Sequence, residues 1–167
     1  DLDYGATDNA LQERCWGRTA AEVVKWAGGF VDGLQAEGVA ACPKHFPGLG
    51  RATRDSHEEL PVIAAADLAE DLRPFEELLP RCRYVMVGHA HYTALEEAPA
   101  SLSSVIITGL LRDRLGFRGT VLTDDLEMKA IRCVGDAVRQ ARSAGADGVL
   151  VCHDPVKIRE AHAALSV

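Results

Sequence analysis

In "RDSH", Asp55 and His57 stand two residues apart. In an extended or turn backbone, side chains at that spacing point the same way. Asp55 can then accept from one imidazole nitrogen, fix the tautomer and raise the pKa of the other. The pair is a proton donor and acceptor suited to neutral pH. In "VLTDDLEM", Asp124 and Asp125 end an apolar run, so one carboxylate can turn into a site and the other away. A carboxylate there can attack an anomeric carbon and form a covalent intermediate, or it can cap the next segment. Lys44 and His45 in "CPKHFPGLG" carry donors that suit sugar hydroxyls or an anion. His89 and His91 in "GHAHY" admit three roles. His89 can touch a ligand at the rim or sit satisfied in the core, or the two can join His45, His57 and the aspartates around a metal. An HxH pair this late in the chain argues against the metal. Arg14, beside Trp16 in "QERCWG", offers a guanidinium to a hydroxyl or carboxylate, or lies on the surface.

Apolar strands and amphipathic helices alternate to place these groups. "TAAEVVKWAGGFVDGLQAEG" reads as a helix with a Thr19/Glu22 capping box and Gly38 as its stop. "VAACP" follows as a short strand. "ADLAEDLRPFEELLP" is a helix with an Asp67/Glu70 cap pair and Pro74 inside it, which predicts a kink or a late start. "RYVMVGHA" is a strand, "SLSSVIITGLLRDRLG" a helix closed by Gly116, and "GTVLTDD" a strand running into acids. "VGDAVRQARSAGA", "DGVLVC" and "DPVKIREAHAAL" complete the pattern as helix, strand and helix. About four continuously apolar strands separated by helices predict an α/β fold with a parallel sheet covered on both faces. A doubly wound domain fits this length, and a complete eight-fold barrel does not. In either architecture "KHFPG", "GHAHY" and "DDLEM" follow strand C-terminal ends and fall on one rim, where parallel folds place their sites.

The bulk numbers set the class. The chain has 167 residues, 47% of them hydrophobic, which is enough for one domain with a core. A net charge of −7 with interspersed signs disfavours nonspecific binding to nucleic acid or anionic membranes. No apolar run approaches a membrane span, and the opening "DLDYGATDNA" lacks the apolar core of a signal peptide. Five cysteines without CxxC spacing read as reduced thiols in a cytoplasmic protein.

Taken together, "DLDYG…ERCWG", "KHFPGLG", "DSHEELPV", "FRGTVLTDDLEM" and, further on, "AGADGVLVC" resemble glycoside hydrolase family 3, in particular its bacterial β-N-acetylglucosaminidase (NagZ-type) branch of peptidoglycan recycling. The resemblance implies a parallel (β/α) barrel of TIM type, only partial here, with residues 1–167 as one barrel domain. It implies a retaining exo-β-N-acetylglucosaminidase that acts on terminal β-linked N-acetylglucosamine, as in muropeptides, through a glycosyl-aspartate and without metal or organic cofactor. Carried over, Asp124 is the nucleophile, His57 the acid/base and Asp55 its polarising partner. Arg14, Lys44 and His45 correspond to residues that hold sugar hydroxyls, and His89 joins them as a rim contact. A family 3 β-glucosidase is the alternative; the "RDSH" loop speaks against it. An inactive sugar-binding or assembly half-barrel is the other. Histidine as acid/base also leaves phosphate conceivable as an acceptor in place of water. Where the family usually reads Gly-His-Gly-Asp, this chain has "GLGR", so Leu49 and Arg51 replace a histidine and an acid. Relatives carry roughly another half-barrel before "DLDYG". The chain is therefore expected to be a fragment, with an open sheet edge that invites self-association.

Overall fold

The computed structural model describes residues 1–5, 11, 14–53 and 60–166. Helix α1 (Ala20–Ala36) begins at the expected capping box: the Thr19 hydroxyl accepts from Glu22 N–H, and the Glu22 carboxylate reaches back to the Thr19 backbone. Gly38, at φ +75°, ends the turn that follows it. Strand β1 (Val62–Ile63) is short. Helix α2 (Ala69–Leu78) runs through Pro74. The predicted Asp67/Glu70 pair does not close a box. Asp67 caps Ala69 N–H at 2.8 Å, whereas Glu70 accepts Ala20 N–H and so ties α2 to the start of α1.

Strands β2 (Tyr84–Val87), β4 (Thr120–Asp125) and β5 (Gly148–Leu150) form a parallel sheet in the order β2-β4-β5. A second parallel pair joins β1 to β3 (His91–Tyr92). The expected "VAACP" strand is not formed as such. Residues 39–45 carry only scattered ladder bonds, Met86 N–H to Pro43 C=O and Phe46 N–H to Met86 C=O, and Phe46 then bridges Val87. The segment has a sheet neighbour on one side only among the described residues, so no continuous ladder holds it. The predicted helix after Pro99 is a 3₁₀ turn followed by a π-helix (Val105–Arg114), in which Leu115 N–H bonds Leu110 C=O. Helices α3 (Val134–Ala144) and α4 (Pro155–Leu165) pack on each other.

Burial along β2 and β4 alternates, where both faces were expected to be covered. Val85, Val87, Val121 and Thr123 are buried against the helices, while Met86 and Leu122 are half-exposed on the opposite face. That face would line a barrel interior, which closes only when strands converge from all sides. The main core gathers Phe46, Phe75, Val85, Val87, Ile106, Leu111 and Val121, with the Phe46 and Phe75 rings edge to face at 5.2 Å. No helix among the described residues is long and apolar enough to cross a membrane.

Candidate active site

Because β2 and β4 run parallel, the residues leaving their C-terminal ends meet on one rim. His45 reaches the same rim through the bridge between Phe46 and Val87. Gly88 lets it approach: a Cβ at that position would lie 2.9 Å from His45 Cβ. The peptide bonds Lys44–His45 and Phe46–Pro47 are cis.

His45 is buried and held by Asp1. One Asp1 oxygen accepts the His45 backbone N–H at 3.0 Å and lies 2.7 Å from Nδ1; the other accepts Leu49 N–H at 2.8 Å. A carboxylate offers no proton, so the hydrogen sits on Nδ1 and the Nε2 lone pair is left free. That Nε2 lies 3.7 Å from Asp124 Oδ2. Burial pushes the His45 pKa down, and the Asp124 carboxylate works against that fall. With its hydrogen held on Nδ1 by Asp1, the ring presents Nε2 as an acceptor beside the Asp124 carboxylate.

Asp124 and Asp125 diverge. Asp124 Oδ1 accepts Asp125 N–H at 2.9 Å while Oδ2 faces His45. Asp125 turns the other way: Oδ1 accepts Glu127 N–H, and Oδ2 lies 3.2 Å from His153 Nδ1. Glu127 accepts the backbone N–H groups of Cys152, His153 and Asp154. Asp125, Glu127 and His153 bring their ligand atoms within 4.8 Å of one another. Histidine beside two carboxylates accounts for that cluster, and Glu127 already spends both oxygens on backbone donors.

Arg14, Lys44 and His45 come together. With Asp1, Trp16 and Phe75 among its walls, they line one cavity of about 260 Å³ between helices α1 and α2 and residues 41–45. Asp124 is not among its walls, and among the described residues His45 alone joins the cavity to it. Lys44 and Arg14 are exposed at its mouth. His89 is a correction to the expected substrate contact. It is fully buried, its Nε2 donates to the Asp125 carbonyl at 3.0 Å, and Nδ1 accepts from the Ser101 hydroxyl at 2.5 Å. Both nitrogens are used, so His89 supports the end of β4 from beneath and has none left for a sugar. Asp55 and His57 lie outside the described residues. Two site residues escaped the sequence reading. Asp1 opens the "DLDYG" motif, but nothing local separates it from Asp3, and its partner is 44 positions away. Ser101 carries no signal of its own.

The Glycosyl hydrolase family 3 N terminal domain matches residues 2–166. A beta-hexosaminidase of Thioalkalivibrio sulfidiphilus is 40% identical over 164 residues, covering 93% of this chain and 46% of that protein. That of Actinobacillus succinogenes is 39% identical over 162 residues, covering 92% of this chain and 47% of its own length. The solved family 3 β-N-acetylglucosaminidase from Paenibacillus sp. str. FPU-7 superposes with a TM-score of 0.94 at 41% identity, over 99% of this chain and 33% of that one. NagZ from Neisseria gonorrhoeae, solved with N-trifluoroacetyl-D-glucosamine, does so at 0.86 and 34% identity, over 96% of this chain and 47% of that one. The chain spans about half the length of the curated relatives it matches. On its fold, motifs and these likenesses, the chain belongs to glycoside hydrolase family 3 and forms part of that family's α/β barrel.

Proposed function

We propose that this chain carries the catalytic half of a retaining exo-β-N-acetylglucosaminidase. The observation that carries the reading is the Asp124 carboxylate at the end of β4, facing His45 Nε2 on a ring that Asp1 locks in place. In the first step Asp124 attacks the anomeric carbon, the glycosidic bond breaks, and His57 protonates the departing oxygen. In the second, His57 takes a proton from water, which attacks the same carbon and releases Asp124. Asp55 polarises His57. His45 Nε2 accepts a sugar hydroxyl next to the reacting centre, while Lys44 and Arg14 donate to other hydroxyls of the sugar.

The substrate is a terminal β-linked N-acetylglucosamine, and muropeptides fit the branch resembled. The Neisseria relative holds a glucosamine analogue, which supports that sugar. A cytoplasmic setting suits five cysteines that are all free. Residues 1–167 act as one domain in this reading. The outer edges at residues 39–45 and at β5 favour pairing with further strands, including those of a second copy. An assay with 4-nitrophenyl N-acetyl-β-glucosaminide tests the reading. Wild-type protein should release nitrophenol, and Asp124→Ala and His57→Ala should abolish or cripple release. Turnover that survives Asp124→Ala would reject it; a folded wild type with no turnover would point to the assembly role instead.

A further inference from the structure

The "GLGR" departure and the one buried acid that the chemistry does not use meet in the same place. Asp71, in the first turn of α2, has a fully buried side chain. Its Oδ2 accepts from Arg51 Nε at 2.7 Å and from the Tyr4 hydroxyl at 3.3 Å. Arg51 Nη2 also donates to the Tyr4 oxygen at 2.9 Å, and its guanidinium lies 4.3 Å from the centre of the Tyr4 ring. Asp71 Oδ1 has no hydrogen-bond partner among the described residues. Burial pushes the Asp71 carboxyl above its ordinary range, and Arg51 works against that rise. Asp71 is buried while Arg51 keeps about a third of its side chain exposed, and a pair in that setting contributes little to stability when set against the cost of burying the carboxylate.

The pair's position in the chain accounts for it. Arg51 ends the loop that begins at His45, and Tyr4 lies three residues beyond Asp1. Asp1 in turn grips His45 and Leu49. The contacts close a ring: Arg51 to Tyr4, along the chain to Asp1, across to His45 and Leu49, and along the loop back to Arg51. Inside the ring the two segments touch so closely that a Cβ on Gly50 would lie 2.0 Å from the Leu2 carbonyl oxygen. Tyr92 adds a hydroxyl bond to the Gly48 carbonyl from below. We propose that Arg51, through the Asp71 carboxylate and the Tyr4 hydroxyl, is a positioning residue that holds Asp1 and His45 in register with Asp124. The catalytic part of this inference rests on the glycosidase reading above; the clamp itself does not.

Two measurements test it. Amide hydrogen exchange in Arg51→Ala and in the apolar pair variant Arg51→Met/Asp71→Leu should speed up about tenfold or more at His45 and Leu49, and stay unchanged at Val85 and Val121. The pair variant keeps the volume filled and the fold intact, as its melting temperature checks. In nitrophenyl glycoside turnover, both variants should lose kcat by about tenfold or more with KM within about threefold, and Arg51→Lys should recover part of the loss. Unchanged exchange at His45 and Leu49 overturns the clamp. Faster exchange with unchanged kcat, or an equal loss across the whole sheet, overturns the positioning role. If wild type turns over no glycoside, the functional reading fails, and the exchange measurement alone still decides the clamp.

Discussion

Removing the Asp1 carboxylate isolates the contact on which the site geometry depends. Asp1→Ala strips the acceptor from three buried or half-buried donors at once: His45 N–H, His45 Nδ1–H and Leu49 N–H. Each orphaned donor costs about 1–3 kcal/mol. Asp1 borders the cavity of about 260 Å³, so water can enter the space left and re-satisfy part of the set. The net loss should therefore fall near the lower end, about 2–4 kcal/mol. For a chain of this size each kcal/mol moves the melting temperature by about 2–4 °C, so a drop of about 4–16 °C is expected by circular dichroism. Asp1→Asn should recover only part of the loss, because its one oxygen can serve the two His45 donors while its NH₂ group sets a donor against Leu49 N–H. A drop below about 2 °C for Asp1→Ala, or full stability in Asp1→Asn, would refute the claim that this carboxylate organises the loop.

Other outcomes follow from the same geometry. Asp124→Asn keeps an oxygen for the Asp125 N–H bond; it should melt within about 3 °C of wild type yet lose activity by at least about a thousandfold in the nitrophenyl assay. Ser101→Ala leaves the buried His89 Nδ1 without its donor. It should cost about 1–2 kcal/mol in urea unfolding without shifting KM, since His89 touches no sugar. Burial sets both His45 and His89 below the ordinary histidine value. As pH falls, the unfolded chain takes up these protons before the folded one does. Their contribution to stability is thus full above about pH 6.5 and lost progressively below it, which melting scans from pH 7.5 to 5 will show. His45→Asn should flatten that dependence.

What could be read in the residues was mostly local. The α1 capping box and its glycine stop, the apolar runs of β2 and β4, and the acids at the end of β4 all depend on neighbours within a few positions. The less legible parts depend on distant chain. Residues 39–45 look like a strand but lack a second sheet neighbour among the described residues, and their ladder is broken. The segment Val105–Arg114 has helical periodicity, and nothing in that periodicity separates an α-helix from the π-helix it forms. Two-residue strands such as β1 and β3 are too short to carry an alternation. In the site, Lys44, His45 and Asp124 announced themselves by following apolar runs. Asp1 and the Arg51–Asp71 pair did not, because their roles arise from contacts 44 and 20 positions apart. His89 was legible only as a histidine at a strand end. Whether it faced a ligand or the interior depended on Ser101 and the Asp125 carbonyl.

The central claim is that the Asp124 carboxylate becomes bonded to the sugar. Incubation with a slowly released 5-fluoro N-acetylglucosaminyl donor, followed by proteolysis and mass spectrometry, looks for that bond directly. The account predicts one added glycosyl group on the peptide that contains Asp124, absent from Asp124→Asn. A label on Asp125 or any other side chain, or turnover of the donor with no labelled peptide at any time, would contradict it.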